Sequence, residues 1–490
     1  MKKIFNILFP IFDWLYILQT LEYSSGNFGR WIIKNLLKRD LQKKKSLIFT
    51  PKIIVILLLS LFMMLLNLSL AIAVFSLFFH PNTLIIAIQL LIFIQIFFIY
   101  VWASNYLLDP LNDLIKTYYV SKASTKLDHH QKLIVIGVTG SYGKTSTKEI
   151  LHQILSTKYK VLKTPSSYNT AVGVANVVLK ELKNDHEIFI VEMGAYKKGE
   201  IKKICELTKP HIGIITGLNE QHLDRFKTIE NTLKAKTELI EALPSNSVIA
   251  LNFDNSHLRY YYNQNLRNQK KLKVIPYAVN EQVSWKAENI KVKIVADEII
   301  TSFELKIGEK QLKVETKLLG KHNILNIMGA LAIAKQLKIN PTDFKNIVQK
   351  LEASEHRLQL VPTNNGIMVI DDAYSANPSG FEAALDFLSE LNDKRKIIVT
   401  PGIVELGNKE FEIHNKLGEK MGNICDYAIL IGKQSGNNRI RGLLAGIEKS
   451  KFNKENLFTV DSLKEAQEKI TKIVKIGDVI LFENDLPDQY

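Results

Sequence analysis

Residues Ile136 to Lys148 read IGVTGSYGKTSTK, a stretch that combines glycines, lysines and hydroxyl side chains. Glycines let the backbone approach a phosphate closely, and the first amides of a helix have no intrahelical partner. Lys144 adds a cation, and Thr145 adds a hydroxyl that can bind Mg²⁺. The spacing departs from the general phosphate-binding loop, because Val138 stands where its first glycine belongs. A capped glycine turn would explain a lone Gly-x-x-Gly, but the full set of residue types predicts nucleotide binding. The candidate phosphate-binding residues are Gly140, Ser141, Gly143, Lys144, Thr145 and Ser146.

A strand and a helix are predicted on either side of this loop. Leu133 to Ile136 are apolar, as in a buried strand, and the residues from Glu149 to Leu155 have the spacing of a helix face. Further strand-like runs, EIFIVEM, HIGIITGL and SVIALN, alternate with helical stretches. This alternation is typical of a doubly wound parallel sheet, whose ligands bind at the carboxyl ends of the strands. We therefore predict an α/β nucleotide-binding domain.

The pattern changes from about Tyr277 to Leu319, where apolar and polar residues alternate as in antiparallel strands. A helix is predicted from Asn323 to Leu337. A second α/β series begins near Gly366 with GIMVIDD and continues with KIIVTPG, YAILIG and DVILF. These changes divide the polar part of the chain into a central domain, residues 121–350, and a C-terminal domain, residues 351–490.

Four further positions carry residue types that suit phosphate or metal chemistry. Glu192 closes an apolar strand, where a carboxylate can reach a metal on bound phosphates. His222 follows the next strand, and Lys234 and Lys236 lie on the helix after it. Each has an ordinary alternative: a surface glutamate, a polar loop histidine and a solvated helix face.

The first hundred residues differ in composition from the rest. Ile53 to Phe79 and Leu84 to Leu108 contain no charged residue, and each exceeds the roughly 20 residues needed to cross a bilayer as a helix. A pair of buried core helices is the alternative to a transmembrane hairpin, which we predict over residues 51–120. The basic run before it, from Lys34 to Lys45, indicates a cytoplasmic start. The hairpin then returns the chain, so we expect a multi-pass protein of the cell membrane with cytoplasmic catalytic domains.

Residues 1–50 are predicted to form an interfacial helix, with Trp14 and Tyr16 at headgroup level, and a basic juxtamembrane segment. The formal net charge is +15, but no basic motif is interleaved with aromatic residues. We therefore expect no nucleic-acid partner, and anionic lipid or a phosphorylated substrate explains the charge. Cys205 and Cys425 are the two cysteines, which fits a reducing compartment.

Eight motifs between Leu133 and Leu481 resemble, in order and spacing, those of the Mur ligases. They read TGSYGKTSTKE, SSYNTAVGV, VEMGAYKKGEI, ITGLNEQHLDRF, KAKTELI, GKHNILN, EHRLQ and DDAYSANP. They are most similar to the members that add D-alanyl-D-alanine to a UDP-linked muramoyl tripeptide. The resemblance implies a central P-loop-type ATPase domain, a Rossmann-like C-terminal domain and a monomer.

The resemblance also implies an acyl-phosphate mechanism that uses ATP and Mg²⁺. ATP phosphorylates a peptide carboxylate, and an amine then displaces phosphate to form an amide. By resemblance, Lys144 stabilises the transferred phosphoryl group, while Thr145 and Glu192 hold one Mg²⁺. His222 helps to hold a second, and Lys236 matches the family lysine that becomes carbamylated and so can act as an anionic metal ligand.

Three more groups of residues receive roles from the resemblance alone. Asn323 and Asn326, one helical turn apart, are expected at the adenine. Residues of the C-terminal domain are expected at the ribose and phosphates, and the SSYNT loop is expected to contact the growing peptide. These residues are Arg357, Asp372 and Tyr374 for the nucleotide, and Ser167, Asn169 and Thr170 for the acceptor.

Two departures from the family pattern leave the substrates open. Apolar helices replace the soluble domain that grips the uridine nucleotide, and the chain ends in LFENDLPDQY where a basic glycine-serine-arginine segment is expected. Glu483, Asp485 and Asp488 make this terminus acidic. The sequence thus allows a ligase of cell-wall precursor synthesis, which adds an amino acid or a dipeptide such as D-alanyl-D-alanine, or a related ligase with a lipid-linked acceptor. A third possibility is an inactive membrane scaffold, but the presence of Lys144, Glu192, His222 and Lys236 argues against it.

Overall fold

The computed structural model describes residues 11–21, 23–35, 46–78, 83–165, 168–219, 226, 228–267, 271–295, 298–363, 366–374, 377–404, 406–432 and 438–485. The chain divides into two compact units between Tyr118 and Tyr119. The first unit is helical, and the second contains two β-sheets covered by helices.

The described residues of the first unit, and the segment that continues into the second, contain five helices. They are α1 (Ile11–Thr20), α2 (Ser25–Asn35), α3 (Pro51–Ser76), α4 (Thr83–Gln95) and α5 (Phe97–Asp128). Trp14 and Tyr16, expected at headgroup level, are instead buried in a core that α1 shares with Phe28, Ile53 and Val101. Five successive residues of α1 are buried, because other apolar helices are available to cover them.

One helix of the described residues, α3, is long and apolar enough to cross a membrane. The second apolar run is not the single straight helix that the sequence predicts. It is broken into α4 and α5, which differ in direction by 54°, and the pair counts as a second span only if the two are taken together. Phe97 and Val101, just after the break, are fully buried in the core of the helical unit.

The second unit begins with a nine-stranded sheet in the order β2-β3-β1-β4-β5-β6-β7-β8-β9. Strands β1 to β6 are parallel, and β7, β8 and β9 form an antiparallel edge, as the alternating pattern predicts. The strands are β1 (Ile134–Thr139), β2 (Val161–Lys163), β3 (Ile188–Glu192), β4 (Ile212–Ile215), β5 (Val248–Asn252), β6 (Lys273–Ala278), β7 (Trp285–Val295), β8 (Glu298–Ile307) and β9 (Lys310–Thr316). The helices are α6 (Lys144–Leu155), α7 (Ala171–Glu181), α8 (Glu200–Thr208), α9 (Ile229–Ala242), α10 (Ser256–Tyr261), α11 (Lys321–Gln336) and α12 (Phe344–Gln349).

The central strands are apolar on both faces because helices cover both faces. Ile136 and Val138 of β1 contribute to one core, which includes apolar residues of α6 and α11. Val135 and Val191 contribute to the core on the other side, with residues of α7, α8 and α9. Leu127, near the end of α5, also belongs to this second core. The phosphate loop therefore starts from a strand that is fixed on both sides.

The second sheet has six strands in the order β10-β11-β15-β12-β13-β14, and only β10 pairs antiparallel. Its core includes Met368, Phe381 and Leu481. Ile299, next to the described end of the β7–β8 hairpin, is part of this same core, and Val292 packs against it. The strands are β10 (Gln359–Val361), β11 (Met368–Asp372), β12 (Lys396–Thr400), β13 (Tyr427–Ile431), β14 (Leu457–Val460) and β15 (Val479–Glu483), and the helices are α13 (Pro378–Ser389), α14 (Glu410–Ile424), α15 (Asn438–Ile447) and α16 (Leu463–Ile473).

Candidate functional site

The loop between β1 and α6 needs glycine at two positions. Gly140 has φ +151°, and a Cβ there would overlap Thr216 Oγ1 and lie 3.0 Å from the Gly217 carbonyl oxygen. Gly143 has φ +74°, and a Cβ there would lie 2.6 Å from Asn326 Oδ1. The Ser141 amide donates to the Gly217 carbonyl over 2.7 Å. The loop is thus packed against the end of β4, and only residues without a side chain fit there.

Lys144 opens α6 and folds back over the loop. Its Nζ donates to the carbonyl oxygens of Gly140 and Ser141, at 2.8 and 3.1 Å. Burial lowers the pKa of Lys144 to about 8; nearby Glu192 opposes this shift and Arg357 adds to it. The Ser141 hydroxyl is buried and has no hydrogen-bond partner among the described residues. A half-buried cation and a buried, unsatisfied hydroxyl beside a helix start are suited to an anionic ligand.

Glu192 ends β3, as predicted, and is buried. Lys148 Nζ lies 3.2 Å from its Oε2, and Asn169 Nδ2 donates to its Oε1 over 3.3 Å. The Glu192 amide donates to Thr164 Oγ1 over 3.0 Å. The carboxylate is therefore held from both sides at the carboxyl end of the sheet.

The acceptor-side residues have different positions. The side-chain amide of Asn169 points at Glu192. The backbone carbonyl of Asn169 accepts a hydrogen bond from the Gly194 backbone amide at 2.8 Å. Thr170 is the N-cap of α7, because its Oγ1 accepts from the Gly173 amide at 3.2 Å. Ser167 lies outside the described residues. Of the two that are described, only Asn169 faces the site.

Lys236 of α9 lies in the same pocket as Lys144 and Asn169. Lys236 is 3% exposed, and its Nζ donates to the Ala195 carbonyl over 3.4 Å. Burial, reinforced by the charge of Lys144, holds the pKa of Lys236 well below its ordinary value. Lys234, two residues earlier, is exposed, and His222 lies outside the described residues. The pocket is lined by Ser141, Lys144, Asn169, Gly194, Ala195, Tyr196, Phe226 and Lys236.

Asn323 and Asn326 connect α11 to the phosphate loop. Asn326 Oδ1 accepts from Thr147 Oγ1 over 3.1 Å, and its Nδ2 donates to Asn323 Oδ1 over 3.0 Å. Asn323 Nδ2 donates to the Leu319 carbonyl over 2.9 Å. Both amides are buried and bonded to protein groups, so their expected contact with adenine stays a prediction.

Arg357 brings the C-terminal sheet to the same site. Burial lowers its pKa, while the carboxylates of Asp372, Glu192 and Glu483 raise it. Asp372 Oδ1 accepts from the Leu358 amide at 2.9 Å and so fixes the backbone next to Arg357. The guanidinium therefore lies near a carboxylate from each of β3, β11 and β15.

Tyr374 is 55% exposed, and its ring centroid lies 4.7 Å from that of His356. His356 Nδ1 is in turn 2.6 Å from Asp371 Oδ2. An exposed ring fixed in this way offers a flat surface beside Arg357. The expected ribose and phosphate contacts of Tyr374 and Asp372 stay predictions.

Sequence reasoning missed one buried and one half-buried residue at the site. Lys148 is fully buried between Glu192 and Glu149, and the only signal was its position one helical turn after Lys144. His322 lies in the GKHN motif, but no role was assigned to it. Burial and nearby Arg357 lower the pKa of His322 to about 4, so its ring is neutral at pH 7.

Oxygen donors at the loop fit a hard divalent cation. Glu192 supplies a carboxylate and Thr145, in the first turn of α6, a hydroxyl, which are the ligand types that Mg²⁺ prefers. Within the described ranges, no group of three or more His, Cys, Asp or Glu side chains could hold a metal ion. The oxygen atoms of a bound phosphate would supply such a cation with further ligands.

Two family models match the chain. The model described as Mur ligase middle domain matches residues 138–334, and the one described as Mur ligase, glutamate ligase domain matches residues 356–483. Together they cover both sheets and the loop between β1 and α6.

Named relatives and solved structures agree with these matches. The chain is 29% identical to the UDP-N-acetylmuramoyl-tripeptide-D-alanyl-D-alanine ligase of Bacillus subtilis strain 168, over 71% of this chain and 72% of the relative. It is 30% identical to the enzyme of the same name from Escherichia coli strain K12, over 61% of this chain and 65% of the relative. A structure of the MurF ligase from Thermotoga maritima in complex with ADP aligns with a TM-score of 0.64 and 25% identity, over 76% of this chain and 80% of that one. A structure of MurF from Acinetobacter baumannii aligns with a TM-score of 0.66 and 23% identity over 76% and 77%, which shows the shared fold.

Proposed function

Because this chain belongs to the Mur ligase family, we propose that it is an ATP-dependent, ADP-forming ligase that adds D-alanyl-D-alanine to a UDP-linked muramoyl tripeptide. The observation that carries the proposal is the meeting of the Lys144 loop, Glu192 and Arg357 from two sheets at one site. The relatives' names give the substrates.

The residues of the site suit phosphoryl transfer from ATP to a carboxylate. The amides at the start of α6 and the Lys144 ammonium stabilise the phosphates, and Arg357 adds a second cation from the C-terminal sheet. Thr145 and Glu192 would hold Mg²⁺, which neutralises charge on the phosphate oxygens. The acyl phosphate so formed loses phosphate when the amine attacks, and the amine gives up a proton as the amide forms.

Lys236 is proposed to work as a carbamate. Burial lowers the pKa of Lys236 and so favours the neutral amine, which is the form that adds CO₂. A cationic lysine in this pocket would repel both Lys144 and a bound metal, whereas a carbamate offers anionic oxygen atoms. His222 is proposed as a ligand of a second Mg²⁺.

The remaining site residues keep the roles that the family resemblance gives them. Asn323 and Asn326 are proposed at the adenine, and Asp372 and Tyr374 at the ribose and phosphates. Asn169 is proposed to contact the acceptor peptide, because its side chain lines the pocket beside Lys236. Ser167 and Thr170 are proposed to support the same acceptor loop.

The apolar helices of the first unit are proposed to tether the enzyme to the cytoplasmic face of the cell membrane. Leu58, Phe62 and Leu70 of α3 are more than half exposed, although the helix is almost entirely apolar. Lipid would cover such a surface at no cost in solvation. The same helices favour an alternative acceptor, a lipid-linked muramoyl peptide presented at the membrane.

The test is to give the purified full-length protein a UDP-linked tripeptide or its lipid-linked counterpart, each with D-alanyl-D-alanine, D-alanine or no amine. ADP release and product mass are measured. We expect ADP and an amide product with the UDP-linked tripeptide and the dipeptide. A product formed only with the lipid-linked peptide would overturn the acceptor assignment. The absence of any acceptor-dependent ADP release would overturn the ligase function.

A further inference from the structure

Lys148 is a fully buried lysine in the second turn of α6. Its Nζ lies 3.2 Å from Glu192 Oε2 and 3.4 Å from Glu149 Oε1. Glu149 pairs in turn with the partly exposed Lys163. The ammonium of Lys148 is thus fixed between two carboxylates, one of which is the proposed metal ligand.

A divalent cation and this ammonium cannot both bind Glu192 without cost. Like charges a few ångströms apart repel strongly when water is excluded, and both ions draw on the same single negative charge. The other oxygen of Glu192 already accepts from Asn169 Nδ2 at 3.3 Å. The carboxylate is therefore neutralised by Lys148 and engaged on both oxygens.

The side chains around Glu192 also offer few ligands for a divalent cation. In the part of the chain that the structure describes, Glu192 belongs to no group of three or more side chains that could hold a metal. Lys144 and Arg357 lie close enough to Glu192 for its charge to raise the pKa of each, so the surroundings are rich in cations. Phosphate oxygens would supply such a metal with further ligands and with negative charge.

We propose that Lys148 is a positioning residue that makes metal binding conditional on nucleotide. In the nucleotide-free protein it occupies Glu192 and keeps divalent cations away. When a nucleoside triphosphate binds, its phosphate oxygens supply the missing charge, and the cation reaches Glu192. This inference rests on the proposed function, because it takes Glu192 as the metal ligand.

The test measures the affinity of the full-length protein for Mn²⁺. Bound Mn²⁺ is detected by electron paramagnetic resonance, with and without a non-hydrolysable ATP analogue. We expect the wild type to bind Mn²⁺ weakly alone and at least about tenfold more tightly with the analogue. Lys148→Met should tighten nucleotide-free binding by about tenfold or more, because it removes the competing charge. Lys148→Arg should behave as the wild type.

Lys163→Met is the matched control, because Lys163 pairs with Glu149 but does not contact Glu192. It should leave Mn²⁺ affinity unchanged. Unchanged nucleotide-free affinity in a Lys148→Met protein with normal thermal unfolding would overturn the proposal. Tight Mn²⁺ binding by the nucleotide-free wild type would overturn it without any variant. Failure of the wild type to bind the analogue at all would contradict the proposed function as well.

Discussion

Buried lysines distinguish this site at the scale of single residues. Lys144, Lys148 and Lys236 lose most of their contact with water, although burial of an ammonium is costly unless charge or hydrogen bonds compensate. Glu192 interacts electrostatically with all three. An anionic ligand would supply the charge that the protein lacks there.

Replacement of Lys144 by alanine should lower turnover on the order of 10² or more, the scale of losing one preorganised charge-stabilising donor. The measurement is acceptor-dependent ADP release at saturating ATP. Lys234→Ala, which removes an exposed lysine of α9, should have almost no effect. Near-normal turnover in Lys144→Ala would refute the assignment of Lys144.

Replacement of Lys236 by alanine should abolish ligation, because it removes the amine that forms the carbamate. A short carboxylate such as acetate should restore part of the activity by supplying an oxygen ligand in the space left behind. Product formation is followed by mass spectrometry with and without acetate. An unmodified Lys236 far from the metal in the active enzyme would rule out the carbamate.

Because the buried His414 ring is neutral in the folded protein, we expect the free energy of unfolding to decrease as the pH is lowered below neutrality. Its Nδ1 donates to the Glu410 carbonyl at 2.6 Å, and its Nε2 accepts from the Ile403 amide at 2.9 Å, so the buried ring is neutral. Burial lowers its pKa to about 4; nearby Arg439 adds to the shift, and the Glu410 bond opposes it. In the unfolded chain His414 becomes protonated near pH 6.5, whereas in the folded protein it stays neutral until the pH falls to about 4.

Stability from this neutral ring is therefore present at pH 7 and is lost as the pH falls from about 6.5 to about 4, by on the order of 3 kcal/mol. The measurement is urea unfolding at several pH values, for the wild type and for His414→Gln. Other groups contribute equally to both proteins, so their difference isolates His414. Parallel pH profiles would contradict this prediction.

The candidate site could be predicted from the sequence only where residue type and position in an element agree. Lys144 follows a glycine turn and Glu192 ends a strand, so the carboxyl edge of a parallel sheet had to bring them close. Lys148 and His322 could not be found in this way, because a lysine or histidine on a helix is usually solvated. Their burial depends on which helices and strands pack over them.

At the scale of elements, short apolar runs between helical stretches predicted both sheets, but the pattern did not predict the break between α4 and α5. Periodicity reports which residues avoid water and does not distinguish a straight apolar helix from two short ones. The burial of Trp14 was missed for a related reason. An amphipathic aromatic residue suits a membrane interface and a protein core equally well, and only the packing of α1 decides between them.

Substitution of Gly143 by alanine should weaken ATP binding and lower stability by about 1 to 3 kcal/mol, because a side chain at φ +74° is strained and would press on Asn326. Gly199→Ala is the matched control. Gly199 has φ +90° and also precedes a helix, but nothing lies within 4 Å of its added Cβ. Calorimetry of ATP binding and thermal unfolding should show a larger loss for Gly143. Equal losses would mean that the contact with Asn326 is unimportant.

At the scale of the whole molecule, the division between Tyr118 and Tyr119 indicates where the catalytic part can be separated. A protein that begins at Tyr119 keeps Ala123 and Leu127, which belong to the catalytic core. We expect it to be soluble and to ligate the UDP-linked tripeptide within about twofold of the full-length rate, because the described residues in the cores of its two sheets all lie in the second unit. The full-length protein in detergent is the reference. A truncated protein that binds ATP but has lost activity would show that the helices take part in acceptor binding.

The β7–β8 hairpin shows that a boundary in the sequence is not a boundary between cores. Ile299 comes from the nine-stranded sheet, yet it is buried with Met368 and Phe381 of the six-stranded one. In a chimera that replaces residues 351–490 with those of a relative, Ile299 of this chain would therefore lie in the hydrophobic core of the relative's C-terminal sheet. Functional exchange of the C-terminal part between relatives requires the hairpin to be exchanged with it, so these two distant segments are expected to change together during evolution.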